Sequence, residues 1–219
     1  MEQLLIYDNT ILNFIQEFRS PLLDKIMPII TCLGNFGFIW IAVTIFALIS
    51  KRYRKLGFTL VLTLILCAVI GNLWLKPFVE RVRPFEANHF TELLITAPKD
   101  FSFPSGHAMA SFACATVLLY FDKKIGIPAL ITAILISFSR LYLYVHYPSD
   151  ILGGMIIGIA VGTFTYNFIR PVKLKKKHHY YLWYITFLCT NKELIKRQKE
   201  TFIFICKPLL FIYIFLVFT

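Results

Sequence analysis

LGFTLVLTLILCAVIGNLWL, residues 56–75, is a run of twenty residues without a charge, preceded by Lys51, Arg52, Arg54 and Lys55 and closed by Lys76. A helix of that length rises about 30 Å, the thickness of a bilayer's hydrocarbon core, and it satisfies its own backbone polar groups in a medium that offers no others. The stretch therefore reads as a transmembrane span and sets the class of the whole chain. Hydrophobic residues make up 58% of the 219 and charged residues only 16%, yet the net charge is +11. That excess falls in short clusters between apolar runs, which points to membrane topology and anionic lipid headgroups and away from nucleic-acid binding.

Working outward, residues 22–50 are apolar but broken around Gly34-Asn35 and Gly37, which predicts a short helix and then a span of about 35–50. Beyond Lys76 comes a mixed polar loop, 76–104, then a span at 105–121 followed by Asp122, Lys123 and Lys124. Further spans are expected over about 125–144 and 150–169, ending at the basic run Arg170–Lys177. Residues 1–20 mix Leu4, Leu5, Ile6, Ile11, Leu12, Phe14, Ile15 and Phe18 with Asp8, Asn9, Asn13, Gln16 and Glu17, the pattern of an amphipathic helix lying at an interface. No basic stretch with a following apolar run and cleavage site opens the chain, so no removable signal peptide is expected.

The expected fold is all-α, a polytopic transmembrane helical bundle with a five-span core. It divides into an interfacial amphipathic segment (1–20), a transmembrane catalytic domain (21–170) and a basic cytoplasmic segment (171–219) with a candidate extra span. Residues 180–189 are too short to cross, and 201–219 would carry Lys207-Pro208 inside the membrane, where a lysine costs roughly 3 kcal/mol. The clusters Lys51–Lys55, Lys123–Lys124 and Arg170–Lys177 share one side of this layout. The positive-inside rule makes that side cytoplasmic and puts loops 76–104 and 145–149 on the opposite face. The five cysteines, Cys32, Cys67, Cys114, Cys189 and Cys206, show no metal-ligand spacing and read as small buried hydrophobes.

Those two outer loops hold the unusual polar residues. KPFVERVRP (76–84) supplies Lys76 and Arg83, PSGH (104–107) closes the first loop, and SRLYLYVHYPSD (139–150) supplies Ser139, Arg140, His146 and Asp150. Two guanidinium forks and an ammonium are the usual means of holding a tetrahedral oxyanion. Ser105, Gly106 and His107 open a helix, so free backbone N–H groups and a positive dipole end point the same way. His146 with Asp150 four residues on can have Nδ1–H held by the carboxylate while Nε2 points outward as a nucleophile. His107, at the cradle, can protonate a leaving oxygen. Such chemistry needs no metal and no cofactor.

Each residue alone has a plainer explanation. Lys76, Arg81 and Arg83 can snorkel at headgroups, Ser105 can serve only as an N-cap, Asp150 can only charge a first helical turn, and an interfacial histidine can be a surface residue, as His178 and His179 are read here. Joint occurrence at defined spacing on one face outweighs these readings for all but Arg81, which no spacing favours and which stays a possible helper.

Lys76-x6-Arg83-Pro84, Pro104-Ser105-Gly106-His107 and Ser139-Arg140-x5-His146-x3-Asp150 together resemble the three-part signature of the type 2 phosphatidic acid phosphatase superfamily, with the flanking spans covering roughly residues 22–170. The resemblance implies that Lys76, Arg83, Arg140, Ser105 and the Gly106 backbone bind phosphate, that His146 is the nucleophile, Asp150 its orienter and His107 the proton donor, a division of labour that spacing alone leaves open. It implies a lipid phosphate substrate reached from surrounding membrane lipids, undecaprenyl diphosphate first, with phosphatidylglycerophosphate, phosphatidic acid or phosphotransfer to another acceptor as alternatives. The expected setting is a bacterial cell membrane with the site on its extracytoplasmic face. Many bacterial members begin with a full transmembrane helix where this chain has residues 1–20, and the tail after 170 is longer than in short members.

Overall fold

A computed structural model describes residues 2–169; the basic segment and candidate sixth span expected over 171–219 lie outside the described residues. Among the described residues every regular element is helical.

Helix α1 spans Glu2–Gln16. Its buried stripe is Asp8, Leu12 and Ile15, whereas Ile6, Tyr7, Phe14 and Phe18 are exposed. An apolar face turned outward is what a helix lying on a bilayer presents. Ser20 then caps α2, Pro21–Gly34, by accepting from the Leu23 N–H, with Pro21 in the first turn where its missing donor costs nothing.

A 3-10 turn at Asn35–Gly37 joins α2 to α3, Phe38–Ile49. The expected short helix and later span are thus one kinked apolar unit, Pro21–Ile49, of 29 residues. The kink lies where Phe36 and Gly37 take φ of 52° and 70°, and the Gly34-Asn35…Gly37 break in the sequence marks it.

Helix α4, Arg54–Cys67, does not end at Lys76. It runs on through a π-helical stretch, Ala68–Leu75, into α5, Lys76–Val79, and stops where Glu80 adopts left-handed backbone. Lys76 is consequently buried on a helix rather than carried by a loop. After the short α6, Pro84–Ala87, the chain crosses to α7, Gly106–Phe121; α8, Lys123–Tyr142, and α9, Pro148–Ile169, complete the bundle.

Four units are long and apolar enough to cross a membrane: Pro21–Ile49, Arg54–Ala87, Lys123–Tyr142 and Pro148–Ile169. Helix α7, expected as a full span, has 16 residues and rises only about 24 Å. It is the central helix, packed between α8 and α9 and against α4. Its N-terminus therefore opens within the bundle, and the loop before it fills the remaining depth.

Close approach of α7 and α9 depends on the stripe Gly154, Gly158 and Gly162. A Cβ at these positions would lie 2.7 Å from Ser105 O, 2.4 Å from Met109 O and 2.5 Å from Ala113 O. Small residues at the seam replace the hydrophobic driving force that lipid does not supply. Interhelical hydrogen bonds from Trp40 Nε1 to Ser111 Oγ (2.9 Å) and between Thr63 Oγ1 and Thr165 Oγ1 (2.8 Å) add to it. At the far end the Tyr53 and Phe121 rings meet at 5.8 Å, bringing the basic clusters 51–55 and 123–124 to one end of the bundle. Cys67 and Cys114 are buried as expected, but Cys32 is exposed.

Gly158→Ala should lower the thermal midpoint in detergent. The forced separation of backbones costs about 1–3 kcal/mol, more than the ~1 kcal/mol that alanine gains in helix propensity; a midpoint at or above wild type would show that the seam tolerates a methyl group.

Candidate active site

All eight site residues expected from the sequence lie at the bundle end opposite Tyr53 and Phe121. Lys76 lies in the last turn of the long α4 unit, Arg83 stands just before α6, Ser105, Gly106 and His107 open α7, Arg140 lies in the last turn of α8, and His146 and Asp150 bracket the start of α9. Except for Gly106 and His107, which are half-buried, these side chains are buried.

Arg83 ties the motifs together. Its Nη1 donates to Val145 O at 2.7 Å and lies 3.3 Å from His146 Nε2; its Nε donates to Asp100 O at 2.7 Å and its Nη2 to Asp100 Oδ1 at 2.6 Å. A guanidinium can only donate, so Nε2 is the acceptor and the proton of a neutral imidazole sits on Nδ1. On that side Asp150 Oδ2 and Ser102 Oγ each lie 3.5 Å away. The Nδ1–H is therefore held loosely while the Nε2 lone pair faces Arg83.

Asp150 is the better-tied partner. Its Oδ2 accepts from Ser102 Oγ at 2.5 Å and from the Tyr147 N–H at 2.8 Å, the second bond being a capping-box contact at the start of α9. Its Oδ1 accepts from Arg81 Nη1 at 2.6 Å. Asp150 thus serves as a helix-start residue and also stands beside His146 Nδ1. Ser105 likewise caps α7, accepting from the Ala108 N–H at 3.5 Å. Ser139, by contrast, donates to Ile136 O of its own helix at 2.6 Å.

The remaining cations have protein partners. Lys76 pairs with Asp100, and Arg140 Nη1 donates to Thr31 Oγ1 at 2.8 Å. Arg140 Nε is buried without a hydrogen-bond partner among the described residues. His107 Nε2 is 3.0 Å from Asn35 Oδ1, at the α2–α3 kink. Gly34 permits this approach, since a Cβ there would stand 2.6 Å from His107 Cδ2.

Burial holds His146 neutral to well below the ordinary histidine range, and the positive field of Arg83, Arg140 and Lys76 adds to the effect while Asp100 opposes it. Asp100 loses hydration, which raises its pKa, but Lys76 and Arg83 overcome this and hold the carboxyl well below the usual range. An aspartate carboxylate thus occupies the cationic cradle. Among the described residues no cluster of three or more His, Cys, Asp or Glu is placed to hold a metal ion.

Sequence reasoning missed Asp100, Ser102, Asn35, Thr31 and Asp8, and left Arg81 unassigned. One signal was available for Asp8: it shares the 8-12-15 helical spacing of Leu12 and Ile15, so a carboxylate sits on the stripe that faces the protein. A second was arithmetic, since three cations pooled in an apolar setting require anionic partners.

Residues 52–173 match the PAP2 superfamily. The chain belongs to that family. It is 40% identical to an undecaprenyl-diphosphatase of Sulfolobus acidocaldarius over 129 residues, 58% of this chain and 62% of that relative, so it spans less than two thirds of that protein. It is 32% identical to an undecaprenyl-diphosphatase of Bacillus subtilis over 160 residues, 70% of this chain and 80% of the relative. Its fold resembles the crystal structure of a transmembrane PAP2-type phosphatidylglycerolphosphate phosphatase from Bacillus subtilis. That likeness has a TM-score of 0.69 and 26% identity, covering 80% of this chain and 90% of the other.

Because the folded state resists protonating His146 while the unfolded chain takes up that proton near pH 6.5, stability should be full above that pH and fall as pH drops below it. Between pH 7 and 5 the wild-type thermal midpoint should fall more steeply than that of His146→Gln, the difference reaching at most about 1.4 kcal/mol per pH unit. Parallel curves would show that His146 protonates in the fold as it does in water.

Proposed function

We propose that this family member is a membrane phosphatase of lipid-linked phosphate, with undecaprenyl diphosphate as its leading substrate, hydrolysed to undecaprenyl phosphate and inorganic phosphate through a phosphohistidine on His146. The observation that carries this reading is the Arg83 fork, which touches the first outer loop, the Asp100-Phe101 backbone and His146 Nε2 at once. A phosphoryl group held by that fork would lie beside the Nε2 lone pair.

In this reading Lys76, Arg83 and Arg140 take the phosphoryl oxygens, with the unpartnered Arg140 Nε as a ready donor. Ser105 and the Gly106 N–H at the start of α7 complete the cradle. Nε2 attacks phosphorus, the bond to the leaving oxygen breaks, and His107 gives that oxygen its proton. The Nδ1–H stays beside Asp150, whose negative charge stabilises the cationic phosphoimidazole. Water then gives a proton to His107, its oxygen bonds phosphorus, and the N–P bond breaks to free phosphate and restore both histidines.

A lipid substrate is favoured by what flanks the cations. Phe78 is 81% exposed, Val82 52% and Phe101 38%, beside Lys76, Arg83 and Asp100. Apolar side chains beside a charged cradle suit a phosphate that arrives laterally on a hydrocarbon tail. The positive clusters 51–55 and 123–124 at the other end support an extracytoplasmic site, in a bacterial membrane, under the positive-inside rule. Likeness to the phosphatidylglycerolphosphate phosphatase keeps that lipid as the second reading.

His146→Ala should abolish phosphate release while the protein still extracts as a folded monodisperse species; retained release would sink the mechanism. Measured on undecaprenyl diphosphate, phosphatidylglycerophosphate, phosphatidic acid and a soluble diphosphate, release should be fastest from the first, without any acceptor and unchanged by EDTA. A need for an acceptor alcohol would instead indicate a phosphotransferase.

Asp100 competes with substrate for Lys76 and Arg83. Asp100→Asn should therefore tighten competitive inhibition by inorganic phosphate, about tenfold if one charge-assisted contact is freed. An unchanged or weaker inhibition constant would mean that the carboxylate does not stand in the phosphate's place.

A further inference from the structure

The Asp150 carboxylate is shared, and what shares it leads back to the first helix of the chain. Arg81 lies between two carboxylates: Nη1 donates to Asp150 Oδ1 at 2.6 Å and Nη2 to Asp8 Oδ2 at 2.7 Å. Its guanidinium carbon stands 4.0 Å above the Tyr147 ring, which fixes its plane. Asp8 is in turn held at the start of α9, where its Oδ1 accepts from the Ser149 N–H at 2.9 Å and its Oδ2 from Ser149 Oγ at 2.5 Å. Asp8 is 2% exposed and Asp150 fully buried.

A buried carboxylate is a costly way to anchor a helix that already buries Leu12 and Ile15 and turns Ile6, Tyr7 and Phe14 outward. We propose that Asp8 is a positioning residue for the phosphatase reaction: acting through Arg81, it fixes Asp150 and leaves a net negative charge beside His146, so that the interfacial helix α1 forms part of the catalytic apparatus. The proposal rests on the reading of His146 as nucleophile.

Charge arithmetic supplies the reason. Arg81 alone would neutralise Asp150. With Asp8 present the trio carries one net negative charge, and it does so where His146 becomes cationic on phosphorylation. Among the described residues Arg83, Arg140 and Lys76 also face His146, with Asp100 opposing them and His107 nearby. Without Asp8 the balance at the nucleophile is strongly positive, which disfavours the intermediate.

Asp8→Asn is nearly isosteric and keeps an acceptor for Ser149. In full-length protein in lipid nanodiscs it should lower kcat about tenfold with KM within about twofold, and move the acid limb of kcat/KM down by about half a pH unit, as expected when one nearby anion is lost. Arg81→Gln removes the opposing charge and should move the limb up while also lowering kcat; Arg81→Lys should return the limb to its wild-type position. The substrate's own ionisation is common to all variants, so differences between them belong to the enzyme. Asn88→Ala, which cuts the 3.0 Å bond from Asn88 Nδ2 to Asn9 Oδ1 and loosens α1 without changing charge, should leave the limb in place.

Opposite displacements in Asp8→Asn and Arg81→Gln support the proposal. Limbs that stay fixed, or move in the same direction, or wild-type kcat in Asp8→Asn, overturn it. His146→Ala measured alongside separates the two levels: turnover there removes the nucleophile reading itself, whereas an inert His146→Ala with unmoved limbs sinks only the role of Asp8.

Discussion

Burying Arg83 is the constraint from which the site's shape follows. A guanidinium at 2% exposure must place its five donors on acceptors, and here they go to the Asp100 carbonyl and carboxylate, Phe101 O, Val145 O and His146. Those acceptors belong to two loops far apart in sequence. Satisfying one side chain therefore pins the loop before α7 to the turn after α8, and sets both at a fixed distance from the α4 unit that carries Lys76. The helical bundle supplies rigid ends, and Arg83 determines how the ends face one another.

The same burial tunes the chemistry. Cations gathered in a dry site repel a further positive charge, so His146 is neutral, and the direction of the Arg83 donor leaves its proton on Nδ1. In the proposed mechanism His146 needs a negative charge beside it only after it has reacted. Asp150, locked by Ser102, the Tyr147 N–H and Arg81, waits on the Nδ1 side for that moment. Asp100 meanwhile balances the charge of Lys76 and Arg83, and its side chain, 53% exposed, is far less enclosed than theirs.

Much of this was legible in the sequence, for a physical reason. Hydrocarbon tolerates only self-satisfied helices, so the spans announce themselves as uncharged runs, and phosphate chemistry needs cations and histidines where the runs end. What could not be read were connections that no local pattern encodes. The α4 unit runs past Leu75 because a π-helical stretch carries Lys76 inward, which a residue count cannot reveal. Helix α7, of 16 residues, is packed between α8 and α9 and largely buried, which makes it an interior element. Thr31 and Asn35 reach Arg140 and His107 only because the first unit kinks at Phe36 and Gly37.

Helix α1 shows most clearly what an amphipathic pattern leaves open. Its sequence reads as that of an interfacial helix, and the structure adds that Asp8 is buried on it while Ile6, Tyr7 and Phe14 point out. A lipid surface accepts Ile6, Tyr7 and Phe14, so the face turned to the protein is free to carry a charge, provided the protein offers a partner. Arg81 and Ser149 are that partner, and both lie next to Asp150. The helix is thus tied to the bundle by the ion pair of Asp8 with Arg81, whose guanidinium also pairs with Asp150. In the proposed mechanism the position of Asp150 beside His146 is therefore set in part by the first helix of the chain.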